Sequence, residues 1–149
     1  MSVEIRQIQS RSEEYERELA LRTRVLREPL GLCFSAEDLA RDASDIHLGA
    51  FEPDRHGGTR LLGCLLLRPQ PDDVVQMRQV AVAPEAQGRG VGRALVCDAE
   101  RVARAKGFTE MMLHARETVI GFYEALGYSP EGPTFIEVTI PHRTMRKRL

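Results

Sequence analysis

Three glycines at alternate positions, Gly88, Gly90 and Gly92, stand where an apolar run ending at Val82 and Pro84 hands over to the helical pattern that begins Arg93-Ala94-Leu95-Val96. Without a Cβ, the backbone there can take positive φ and come close to a ligand. The first amides of a helix have no internal acceptor, and the helix dipole adds partial positive charge at that end. The chemistry open to such a loop is to cradle an anion, with Arg89 or Arg93 adding a full charge. Two nucleotide-binding patterns do not fit it. A P-loop needs a lysine followed by Ser or Thr, and the loop has no lysine; a dinucleotide fingerprint needs G-x-G-x-x-G, and Gly92 is followed by Arg93 and Ala94.

The segment Gln87-Gly88-Arg89-Gly90-Val91-Gly92, preceded by Val80-Ala81-Val82-Ala83-Pro84, resembles the signature of the GNAT acyltransferase superfamily, [QR]-x-x-G-x-[GA] after a strand reading hydrophobic-Ala-Val-x-Pro. A second segment some thirty residues on, Phe122-Tyr123-Glu124-Ala125-Leu126-Gly127-Tyr128, resembles that family's F-Y-x-x-L-G-[FY]. The resemblance implies acetyl-CoA as cosubstrate. The amides of Gln87 to Gly92, with Arg93, would take its pyrophosphate, and the strand backbone at Val80, Ala81 and Val82 its pantetheine arm and the oxyanion of the reaction. It also implies direct transfer of the acetyl group to an amine, with Tyr123 protonating the departing sulfur. A phenol suits that task, because it can donate to developing negative charge while neutral in the ground state.

Amine acetylation also needs the amine deprotonated. Many relatives use a glutamate before the loop, but Gln76-Met77-Arg78-Gln79 offers no carboxylate, and Arg116 stands where an asparagine is common. The candidates for the base are therefore Glu137, His142, His114 and Glu117. Phe135 to His142 resembles the F-x-E-x-G-I-P-H ending of ElaA-like members, with Thr139 in place of the glycine. Arg22, Arg24 and Arg27 are candidates to line an acceptor site, with a solvent-facing role as the alternative. His47 and His56 have no partners at metal-ligand spacing, and no metal is expected.

These residues need elements to hold them. Val3 and Ile5 alternate with polar residues as in a strand, and Ser12 can cap an amphipathic helix running to about Glu28. Ser35-Ala36-Glu37-Asp38 has the pattern of a capping box for a second, shorter helix. Ile46 to Phe51 and Leu61 to Leu67 read as strands joined through the turn-rich stretch 53–58, the second of them apolar on consecutive positions and so buried on both faces. Val74 to Ala83, Phe108 to His114, Phe135 to Ile140 and Thr144 to Leu149 complete the strands. Helices are expected from Gly90 to Lys106 and from Thr118 to Leu126. This order predicts one α/β domain over residues 1–149 with a mixed, mostly antiparallel twisted sheet. The resemblance adds that the strands bearing Val80 and Met112 splay apart to form the acetyl-CoA cleft.

A chain of 149 residues with 42% hydrophobic and 29% charged side chains suits one soluble globular domain. With 21 basic against 22 acidic side chains, no global field draws it to nucleic acid or an anionic membrane. Neither is expected as a partner. The basic tail Arg143, Arg146, Lys147 and Arg148 lacks the interleaved aromatics of a nucleic-acid surface. Cys33, Cys64 and Cys97 are odd in number and far apart, which points to a reducing compartment, and the N-terminus has no signal-like apolar run; the cytoplasm is the default. The expected partner is a small-molecule or peptide amine, with a second copy of the chain in a homodimer as the macromolecular partner considered. The alternative reading is a non-catalytic acyl-CoA sensor or interaction module, which the missing strand carboxylate would favour.

Overall fold

The computed structural model describes residues 3–149. Seven strands form one sheet: β1 (Glu4–Ile8), β2 (Ile46–Pro53), β3 (Thr59–Pro69), β4 (Val74–Val82), β5 (Glu110–Arg116), β6 (Ser129–Glu137) and β7 (Ile140–Arg148), in the spatial order β1-β2-β3-β4-β5-β7-β6. Only β4 and β5 run parallel; every other neighbouring pair is antiparallel. The single-domain mixed sheet expected from the sequence is therefore present. The consecutive apolar positions of β3 have the expected cause, since Leu62 to Leu67 are all buried.

The helices are α1 (Glu13–Arg22), α2 (Ala36–Arg41), α3 (Val91–Ala105) and α4 (Ile120–Ala125). Ser12 caps α1 by accepting from the Tyr15 amide at 3.1 Å, and Ser35 and Asp38 form a reciprocal capping box at the start of α2. Beyond Arg22 the first helix widens into a π-helical turn, Thr23–Arg27, then tightens to a 3-10 turn, Glu28–Leu30, and stops at Gly31 with φ of 70°. That widening leaves the Leu26 carbonyl open to side chains from elsewhere in the fold. No helix among the described residues is long and apolar enough to cross a membrane.

Two helices cover opposite faces of the sheet. A Cβ at Gly63 would lie 2.9 Å from Leu95 Cδ1 and 3.1 Å from Val91 Cγ1, so glycine lets α3 lie directly on β3. The next residue, Cys64, points the other way and feels the charges of Glu18 and Arg22 on α1. Along α3, Val91, Leu95, Val96, Ala99 and Ala103 are buried at helical spacing, so the same stripe that packs the core also sets the glycine loop at one end of the sheet.

Several boundaries differ from those expected: β6 begins at Ser129 and not at Phe135, the α-helical part of the first helix ends at Arg22 and not near Glu28, and two further differences have a clear cause. The strand placed at Phe108 begins at Glu110, because the Phe108 amide bonds the Ala103 carbonyl at 3.0 Å and the Gly107 amide bonds Arg104 at 3.0 Å, a C-terminal cap that absorbs both residues into the end of α3. The turn between the last two strands lies at Val138 and Thr139, and Pro141 and His142 belong to β7. Proline is tolerated there because β5 ends opposite His142, so the missing Pro141 amide needs no partner on that side.

Candidate functional site

β4 and β5 pair only from Val74↔Glu110 to Met77↔Leu113, although β4 continues to Val82 and β5 to Arg116. Past that point the strands part, and β4 keeps partners on its β3 edge alone, through Leu66↔Arg78, Cys64↔Ala81 and Gly63↔Val82. One extra residue in β4 makes a bulge, with Gln79 at φ of 56°. An unpaired strand edge exposes amides and carbonyls that seek partners. Two polar atoms on this segment, Arg78 Nε and Gln79 Oε1, are buried with no hydrogen bond. A bound water or ligand could satisfy both. The splay between the strands of Val80 and Met112 is thus a feature of the backbone register.

The glycine loop lies at the head of α3, directly after β4. Gly88 and Gly90 both have φ of 80°, and a Cβ at either would meet nothing within 4 Å, so backbone conformation, not crowding, is what requires glycine there. Gly90 caps the helix without any side-chain bond, and the first helical contact is Ala94 N to Gly90 O at 3.0 Å. The amides of Val91, Gly92 and Arg93 therefore have no acceptor within the helix. Gln87, at the exposed start of the loop, reaches back to the Val82 carbonyl at 3.5 Å. Arg89 is held by Glu52 at 2.7 Å, whereas Arg93 is exposed in the first turn of α3. These residues and the open backbone at Val80, Ala81 and Val82 fit an extended, anion-bearing molecule such as coenzyme A.

A Cβ at Gly92 would lie 3.5 Å from both Phe122 Cζ and Val82 Cγ2, so α4 crosses beside the loop. Its next residue, Tyr123, is 5% exposed and packs edge-on between Phe122 and Tyr128, at ring separations of 5.0 and 5.8 Å. The Tyr123 hydroxyl makes no hydrogen bond among the described residues, yet it is not one of the sealed unpaired atoms. Burial pushes its phenol well above the ordinary tyrosine range, so it is protonated at any physiological pH.

Three of the four base candidates meet. His114 is the first β5 residue past the split; its Nδ1 lies 3.1 Å from Glu137 Oε1 on β6, and His142 Nε2 on β7 lies 3.8 Å from Glu137 Oε2. Phe135 fills the space between the imidazoles, edge-on to His114 and stacked on His142. His142 also bonds the Ile140 carbonyl through Nδ1 at 2.9 Å. The hydrogen bond from His114 holds the Glu137 carboxyl below its usual range against the opposing effect of burial, with the charge of Arg78 adding to the shift. Glu117 is exposed in a 3-10 turn before α4 and has no part in this cluster.

The first-helix arginines divide. Arg22 is buried in ion pairs with Glu18 at 2.9 Å and Asp42 at 2.8 Å, which makes it part of the core. Arg24 pairs with Glu85 at the surface. Only Arg27 faces the split, where it and Arg116 both donate to the Leu26 carbonyl, at 3.1 and 3.0 Å. Arg78 and Arg116 are the residues that sequence reasoning passed over. Both positions had drawn notice only for lacking a carboxylate or an asparagine. His47 is buried against Glu18, and among the described residues no group of three or more potential ligands could hold a metal ion.

Comparison with known proteins follows the same lines. The sequence matches the Acetyltransferase (GNAT) family over residues 4–128. A chain from Lactobacillus plantarum, assigned as an N-acetyltransferase, superposes with a TM-score of 0.86 at 27% identity, covering 100% of this chain and 99% of that one. Escherichia coli ElaA superposes with a TM-score of 0.81 over 98% of this chain and 99% of its own, and at 19% identity it shows likeness of fold alone. Glucosamine 6-phosphate N-acetyltransferase of Trypanosoma brucei brucei is 33% identical over 75 residues, 46% of this chain and 51% of that protein. The chain spans about half the length of the curated relatives it matches.

Proposed function

Because the chain belongs to the acetyltransferase (GNAT) family, we propose that it is an acetyl-CoA-dependent N-acetyltransferase, that residues 1–149 form its catalytic domain, and that the acceptor is a small-molecule or peptide amine. The observation that carries this reading is the parting of β4 and β5 beside the loop of Gly88 and Gly90, an open edge and an anion cradle on one cleft. Acetyl-CoA supplies the acetyl group as an activated thioester. The loop amides from Gln87 to Gly92, with Arg93, hold its phosphates; Arg89, engaged with Glu52, acts through its backbone amide. The edge from Val80 to Val82 takes the extended arm, and its amides receive the oxyanion.

His114 and Glu137 divide the work on the acceptor. With Nδ1–H donated to the Glu137 carboxylate, the lone pair of His114 Nε2 is left to take the proton of the attacking amine. Glu137 orients that imidazole and stabilises the cation it becomes, which suits a carboxylate held below its usual range better than direct proton abstraction does. His142, behind Phe135, supports Glu137 from the other side. Tyr123 donates to the sulfur as it leaves. The three free cysteines agree with a reducing compartment, and the cytoplasm is the proposed location.

Calorimetric titration with acetyl-CoA, followed by thiol release over a broad amine panel, tests the assignment. Micromolar binding, with release by at least one amine, is the expected result for a working transferase. Binding without release from any amine would make the chain a sensor, and no binding at millimolar acetyl-CoA would remove the reading altogether. His114→Gln should cut turnover by roughly 100-fold with acetyl-CoA affinity unchanged; a variant with full turnover would take the base role from His114.

A further inference from the structure

Of the arginines that the structure leaves without a carboxylate within ion-pair distance, three lie partly buried on the α1 side of the β4–β5 split. Arg78 stands on β4 where the split opens. The last pair, Met77↔Leu113, puts it beside His114, and both face the α1 side of the sheet because their neighbours Met77 and Leu113 face the other. Arg116 follows two residues along on the same face of β5. Arg27 reaches in from the π-helical turn, laid over the Phe34 ring at 4.4 Å and sharing the Leu26 carbonyl with Arg116.

All three guanidiniums are half-buried, and for each of them desolvation is the leading cause of a pKa held below the usual arginine value. Most other buried or partly buried arginines among the described residues have ion partners: Arg22 with Glu18 and Asp42, Arg68 with Asp45, Arg89 with Glu52. The carboxylates whose charge reaches these arginines are engaged elsewhere: Asp45 with Arg68, Asp38 in the capping box of α2, and Glu137 with His114 and His142. Arg78 Nε is buried with no hydrogen-bond partner. Collecting desolvated, unpaired cations opposes folding unless something anionic completes them.

We propose that the acceptor amine carries an anionic group, a carboxylate or a phosphate, which Arg27, Arg78 and Arg116 hold on the α1 side of the β4–β5 split. The forked guanidinium suits both groups, since each offers paired oxygens at matching spacing. The amine of the bound acceptor then lies next to His114, the residue between Arg78 and Arg116 in the same surface. This rests on the transferase reading above and narrows it: polyamines and other purely cationic amines are excluded by charge.

The test is thiol release from acetyl-CoA by matched acceptors: an α-amino acid against its amide, an amino-sugar phosphate against the unphosphorylated sugar, and spermidine. The anionic member of at least one pair is expected to have a kcat/KM about tenfold or more above its neutral counterpart, the ratio for one charge-assisted contact. The pair that responds separates carboxylate from phosphate. Arg78→Gln and Arg116→Gln should each raise KM for that acceptor about tenfold while the acetyl-CoA Kd stays within about twofold. Neutral or cationic amines used as well as every anionic one, or an unchanged KM in both variants, would overturn the anion site and leave the transferase standing. Silence from every amine would overturn both. If a glutamine variant does not fold, the matched pairs on the wild-type protein decide alone.

Discussion

The three tyrosines of the chain differ in what their hydroxyls touch. Tyr15 donates to Asp42 at 2.7 Å and Tyr128 to Glu100 at 2.8 Å, while the Tyr123 hydroxyl has no partner among the described residues. A phenol that packs its ring and keeps its proton uncommitted is suited to donate to a substrate. Tyr123→Phe keeps the ring contacts with Phe122 and Tyr128, so its melting temperature should match wild type within about a degree, consistent with a change below about 0.5 kcal/mol. Turnover should drop by roughly 100-fold at unaltered acetyl-CoA affinity. Equal turnover in steady-state thiol release would reduce Tyr123 to a packing residue. The motif around it was legible in sequence; that its hydroxyl alone is unpartnered was not, because Asp42 and Glu100 come from distant parts of the chain.

At the level of elements, the hairpin of β6 and β7 brings Glu137 to His114 and His142. Its two-residue turn puts Val138 at φ of 43° and Thr139 at φ of 69°, a region that β-branched side chains enter only under strain. The sequence showed threonine where ElaA-like chains have glycine, and the structure places the turn there with the backbone glycine would favour. Thr139→Gly should therefore stabilise the protein by about 0.5–1 kcal/mol, seen as a rise of a few degrees in calorimetric Tm. A lower Tm would mean that the threonine side chain contributes something that the backbone geometry does not show. The parting of β4 and β5 belongs to the same level. Its β4 residues and His114 were assigned to strands, whereas Ala115 and Arg116 were not, and where two strands stop pairing depends on register, which no single strand encodes.

Across the whole molecule, a polar cluster lies between α1 and the sheet: Glu18, Arg22, Asp42 and His47 are all buried, with Tyr15 at the edge. Burial alone would pull the His47 imidazole down, but the hydrogen bonds at 2.8 and 2.9 Å and the charge of Glu18 outweigh it, and the net shift is upward. A group whose folded pKa is raised contributes stability fully below its unfolded value, about 6.5, and loses it as pH rises through the folded value. Wild type should thus lose stability relative to His47→Gln as pH rises above about 6.5. Paired urea titrations at several pH values would show it. A difference between the two proteins that does not vary with pH would mean that His47 stays neutral in its pocket.

Local pattern was enough to place most of the elements and to mark the glycine loop as a candidate anion cradle, and the resemblance carried by that loop pointed to acetyl-CoA. Glycines at alternate positions between a strand and a helix have few physical uses, and helical or alternating spacing depends on neighbours a few residues apart. The proposed acceptor side rests on tertiary structure alone. Arg27, Arg78, His114, Arg116, Glu137 and His142 come from a widened helix end and four strands, each with an ordinary side chain for its place. Only the register of the sheet sets them around one opening and leaves three arginines there without a carboxylate. The loop that reads so clearly in sequence points to the proposed cosubstrate, whereas the proposed charge of the acceptor rests on residues that meet only when the chain has folded.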